Sequence, residues 1–149
     1  MINVLILTEE YEDAERYARI SYECLTRPID NESEEVANAA ESLANIMYNL
    51  IRRGVEGVNV VEAEMLSRKV LRIRQRVNGA NNVVTVNSRI RLSNILGCVI
   101  GRNHFDERKL LLEQVLAINI RRFGINGMDT AIATDGLAKL HEEIARSLL

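Results

Sequence analysis

Apolar positions recur along the chain with two different periods. The sharpest pattern lies at residues 60–77, where Ala63, Leu66, Val70, Ile73 and Val77 fall within an arc of roughly 80° at 3.6 residues per turn. That spacing predicts an amphipathic helix. A second helix is predicted from Asn31, where Asn31 and Glu34 form a capping box. Val36, Ala40, Leu43, Met47 and Leu50 keep one apolar face, and Gly54 closes the segment behind Arg52 and Arg53. An earlier helix is capped by Thr8 and opens on Glu9, Glu10, Glu12 and Asp13, as the helix dipole prefers. Small or apolar residues recur in it at Tyr11, Ala14, Ala18, Ser21 and Leu25, and Pro28 ends it.

The period becomes two after the turn at residues 78–82. Val84, Val86, Ile90 and Leu92 take one face, with Thr85, Asn87, Arg89 and Arg91 on the other, which predicts a strand or a hairpin bent at Asn87-Ser88. The apolar runs 2–7 and 95–100 also read as strands. From Asp106 to Phe123 the chain is apolar on nearly every side, the mark of a buried central helix or an oligomer contact. A last helix is expected from about Asp135. Together these elements predict an α+β fold, predominantly helical, with about five helices. Its small antiparallel sheet would come from strands near 2–7, 83–92 and 95–100, in a single domain over residues 1–149. The sequence shows no domain boundary, internal repeat or low-complexity tract.

Composition narrows the class. The 149 residues, 47% hydrophobic and 27% charged, suffice for a real core and argue against disorder or a disulfide scaffold. The amino-terminal residues carry no basic stretch before their apolar run, so no signal peptide is expected. Cys24 and Cys98 are far apart and read as reduced thiols, which places the protein in the cytoplasm, away from membranes.

Charge is distributed unevenly. Residues 1–64 hold fourteen acids and five bases, whereas residues 65–105 hold eight bases and no acid. Arg68, Arg72 and Arg76, with Lys69 beside them, line the polar side of the helix at 60–77, and no acid four residues away neutralises its last two turns. Arg89, Arg91 and Arg102 extend the basic segment. The planar fork of arginine suits carboxylate and phosphate. The expected anion- or partner-binding residues are therefore Arg68, Lys69, Arg72, Arg76, Arg89, Arg91 and Arg102.

No catalytic constellation emerges. His141 begins a zinc-protease spacing, but Ala145 stands where the second His belongs. Cys98, His104 and Asp106 have the types for an activated thiol, yet Cys98 in an apolar run and Asp106 at a helix start have ordinary structural roles. The glycines form no phosphate-binding loop. The expectation is a small non-enzymatic assembly or adaptor protein, homo-oligomeric, with no cofactor or metal. Its Arg-rich face would engage its own acidic first helix, a second copy or an acidic protein surface. The alternative partner is duplex nucleic acid or a phosphate-bearing nucleotide held by the same arginines. Base stacking on single strands is disfavoured, because no aromatic residue lies between residues 49 and 104.

Overall fold

A computed structural model describes residues 2–27, 32–99 and 104–149, with side chains from Leu7 onward. Its regular secondary structure is entirely helical: α1 (Ile2–Thr26), α2 (Glu34–Arg52), α3 (Val60–Asn78), α4 (Val83–Leu96), α5 (Phe105–Phe123) and α6 (Met128–Ser147). The chain divides into two compact units, Met1–Gly79 and Ala80–Leu149.

In the first unit α2 is the central helix, with α1 and α3 packed on it. Its apolar stripe is fully enclosed, from Val36 and Ala37 through Leu43 and Met47 to Leu50. Ala63, Leu66, Val70 and Ile73 of α3 are buried as the periodicity predicts, whereas Val77 is half exposed. Asn31 lies outside the described residues, and the α2 cap is Ser33, whose side chain accepts a hydrogen bond from the Val36 amide at 3.3 Å. Ser33→Ala removes that acceptor and leaves an amide of the first turn unsatisfied. It is expected to destabilise the protein by about 1 kcal/mol in urea unfolding, with Ser33→Asp close to neutral.

In the second unit α5 is central, in contact with both α4 and α6. Val86, Val115 and Ala133 form a core cluster drawn from all three helices. α5 is thus the central helix, as one of the two expectations for it has it, but it is not buried on every side: Leu111, Leu112, Val115 and Asn119 are buried, whereas Leu110 and Ile120 are exposed. α6 starts at Met128, two turns before the predicted Asp135. Thr130 fixes that start by donating to the Gly124 carbonyl at 2.8 Å.

No sheet is present among the described residues, which overturns the α+β expectation. The run at 2–7 is the first part of α1. Residues 83–92 belong to α4, as do Ile95 and Leu96; Cys98 and Val99 follow it, and Ile100 lies outside the described residues. The physical reason is visible in α4. Its buried residues are Thr85, Val86, Ser88, Arg89, Leu92, Ser93, Ile95 and Leu96, a helical set in which half the members are polar. Reading apolar residues alone therefore returns a period of two, although the packing period is helical. Asn82 caps the helix by accepting from the Val84 amide at 3.0 Å.

Candidate functional site

The basic residues of α3 lie where a helix facing α2 with its apolar side must put them. Ala63, Leu66, Val70 and Ile73 turn inward, and a 3.6-residue repeat leaves Arg68, Arg72 and Arg76 on the outer side. Each of them meets an acid of the same unit. Arg68 donates to Glu64 at 2.9 Å, one turn back on α3. Arg72 and Arg76 converge on Glu32, just before α2: the Arg72 Nε donates to Oε1 at 2.8 Å, and Arg76 holds both the other carboxylate oxygen and the backbone carbonyl of Glu32. Lys69 reaches back to α1, with Nζ 3.2 Å from the Tyr22 hydroxyl and 5.5 Å from the ring centroid.

Among the described residues, α1 and α3 are joined by an ion pair of the opposite sense to the one expected, with the base on α1 and the acid on α3. Arg19 of α1 is clamped between Glu62 of α3 and Glu15 of its own helix. Those two carboxylates hold its guanidinium above its ordinary pKa, the hydrogen bonds it donates to Glu62 being the largest cause.

Arg74 points the other way. Its side chain is only 7% exposed, and it forms a fork on Glu41 of α2 at 2.9 and 2.7 Å, with a further bond to Asn38 at 3.0 Å. It fastens α3 to α2 and is unavailable to a partner. The apolar arc gave no signal for this, because Arg74 lies directly beside Ile73 on the inward side.

Arg89 and Arg91 belong to the second unit. On a strand they would share a face, but on α4 they point about 200° apart. Arg89 is 4% exposed and donates to the Ala80 carbonyl at 2.7 Å. Its burial pushes its pKa down. Arg91 is half buried, and Arg102 lies outside the described residues. Of the seven expected residues, the structure joins Arg72 and Arg76 into one cluster and buries Arg89 away from solvent.

The second unit also holds a groove of 260 Å³ between α4, α5 and α6, floored by Ile90, Leu112, Ala133 and Leu140. At its rim Arg108 forks onto Glu143 at 2.8 and 3.2 Å. Sequence reading missed this pair because its members are 35 residues apart. His104 takes a left-handed backbone conformation before α5, with its Nδ1 3.7 Å from Glu107. The Cys98 thiol points to the Asn94 carbonyl at 3.6 Å. Among the described residues no three His, Cys, Asp or Glu side chains gather as a metal site, and no helix is long and apolar enough to cross a membrane. No protein-family model matches the chain, and no curated protein matches it in sequence.

Proposed function

We propose that the protein is a self-associating, non-enzymatic assembly or adaptor protein that engages an acidic protein surface through Arg72 and Arg76. The supporting observation is the imbalance at that cluster. Two guanidinium groups, with side chains 60% and 58% exposed, share the one carboxylate of Glu32. Exposed ion pairs are worth only about 0–1 kcal/mol each, so an incoming carboxylate exchanges with Glu32 at small cost. The flat fork of each arginine then accepts a carboxylate in two-point fashion. The other basic residues of α3 are engaged with Glu64, Tyr22 and Glu41, which confines the interface to this pair. A cytoplasmic setting is part of the proposal, supported by the two free cysteines.

The test is fluorescence anisotropy with a labelled polyglutamate peptide and a labelled DNA duplex, each at two salt concentrations. Peptide binding should fall by at least about tenfold in Arg72→Glu/Arg76→Glu, since like charge opposes the ligand where attraction stood. Glu32→Gln should tighten it several-fold. Preference for the duplex, with a steep salt dependence, would replace this reading with nucleic-acid binding. Failure to bind either ligand would remove both.

A further inference from the structure

Burial recurs along the chain with a spacing that residue identity conceals. α3 and α5 begin and end 45 residues apart, α4 and α6 begin 45 apart, and α2 and α4 begin 49 apart. The enclosed positions follow the same steps. Val36, Ala37, Ala40, Leu43, Ala44 and Met47 of α2 lie 49 residues before Thr85, Val86, Arg89, Leu92, Ser93 and Leu96 of α4, and all twelve are buried. Leu66, Ser67 and Val70 of α3 lie 45 before the buried Leu111, Leu112 and Val115 of α5. A step of 49 also carries Asp13-Ala14-Glu15 of α1 onto Glu62-Ala63-Glu64 of α3. The chain therefore repeats a helical hairpin: α2 and α4 are its first helix, α3 and α5 its second. By the same steps α6 is a first helix and α1 a second.

Two faces depart from this pattern. Thr85, Ser88 and Ile95 of α4 have buried counterparts in Thr130, Ala133 and Leu140 of α6. Val86, Arg89, Ser93 and Leu96, which are also buried, correspond to Ala131, Thr134, Ala138 and His141, and these four are exposed. On α4 that face packs on the following helix, with Val86 and Val115 in one cluster. α1 shows the complementary gap. Ala14, Ala18 and Tyr22 are half buried, but Tyr17, Ser21, Cys24 and Leu25 are exposed, although their α3 counterparts Leu66, Val70, Ile73 and Arg74 are buried. On α3 that is the face turned to the preceding helix, with Ile73 against Val36 and Ala37.

We propose that α1 of one copy docks on α6 of a second copy, so that two chains complete between them the hairpin each builds twice within itself. The proposal rests on the self-associating part of the reading above and does not involve Arg72 or Arg76. Size matches: small Ala131, Thr134 and Ala138 would receive Tyr17 and Leu25, as the small Ala37 of α2 packs with the bulkier Ile73 of α3. Charge matches in the register of the Val86–Val115 contact. An antiparallel α1 then brings Asp13 to Lys139 and Arg16 beside Asp135; within one chain these groups pair as Arg16–Asp13 at 3.0 Å and Lys139–Asp135 at 2.7 Å. Glu142 would approach Glu10 in that register, with Arg146 already on Glu142 at 2.6 Å to offset the repulsion. The two faces differ, so the contact is heterologous and each copy keeps one free face for the next.

Light-scattering mass against concentration tests this on the full chain. The wild type should grow beyond a dimer. Tyr17→Glu/Leu25→Glu blocks the α1 face, and Thr134→Glu/Ala138→Glu blocks the α6 face. Tyr17, Thr134 and Ala138 are exposed and Leu25 lies at the edge of the groove between α1 and α2, so unchanged circular dichroism and urea unfolding are required of each variant, which should then be monomeric. Mixed one to one, the two variants should give the mass of two chains and stop there, because each supplies the face the other lacks. Alkylation of the exposed Cys24 by a maleimide should also slow several-fold as the wild type assembles, with the Cys98 rate unchanged. A wild type that stays monomeric throughout would overturn both this interface and the self-association beneath it. Wild-type oligomers that survive in both variants, or a mixture that stays monomeric, would overturn the interface and leave self-association standing.

Discussion

Arg74→Ala is expected to cost about 3–5 kcal/mol of stability in urea unfolding, among the largest losses open to a single side chain in the first unit. The reasoning starts from what stays behind. Arg74 forks onto Glu41 in the contact between α2 and α3, and the Glu41 side chain is itself only 17% exposed. Truncating the arginine removes both short hydrogen bonds and leaves a carboxylate that water reaches poorly. The pair as a whole is a different matter, since two ions taken out of water recover little beyond their desolvation cost. Arg74→Met/Glu41→Leu is therefore expected to regain most of the loss, and to reach or exceed wild-type stability if the apolar pair packs well. A double variant as unstable as Arg74→Ala would show instead that the arginine acts mainly through its packing. Asn38, which is exposed, can exchange its bond to Arg74 for water in either variant.

Asn87→Pro is expected to cost about 3 kcal/mol or more and to reduce far-UV helical signal, although the Asn87 side chain touches solvent. Position 87 lies in the second turn of α4, where its amide closes a helical hydrogen bond and a pyrrolidine ring collides with the preceding turn. The residue before a proline is also pushed out of the helical region, and here that residue is Val86, at the centre of the second unit's core. Asn87→Ala makes the control: it keeps the helix, improves its propensity by a few tenths of a kcal/mol, and should be neutral or slightly stabilising. In a hairpin bent at Asn87-Ser88 the order would be reversed, with proline well tolerated. The two substitutions thus separate the helix from the alternation that residues 83–92 display.

That contrast shows what the amino-acid order revealed. α3 was legible because burial and hydrophobicity coincide in Ala63, Leu66, Val70 and Ile73. α4 was not, because Thr85, Ser88, Arg89 and Ser93 are polar residues enclosed along with the apolar ones. Ser88 donates to the Val84 carbonyl at 2.8 Å, and Arg89 donates to that of Ala80. The hairpin repeat stayed hidden for the same reason: Ala40 corresponds to Arg89 and Ala63 to Arg108, so shared positions are filled by chemically unlike residues. The outer stripe of α3 was readable from spacing alone. Its partner Glu32 was not, since 40 and 44 residues separate it from Arg72 and Arg76 and only folding joins them. The apolar run at 2–7 has the length of a strand, but no turn or breaker separates it from the helical residues that follow, and helix propagation carries through it.

Arg76 grips Glu32 by its backbone carbonyl as well as by its carboxylate, and Ser33, the next residue, caps α2. The charge cluster and the entrance to the central helix are therefore one thermodynamic unit. An anion that takes over both arginines releases the main chain at Glu32 together with its side chain. By linkage, a change that steadies the Glu32 main chain on Arg76 weakens that anion's binding, just as the bound anion loosens the grip. An anion held by the basic cluster would thus be felt at the first turn of α2, where amide hydrogen exchange reads it without any label on the anion.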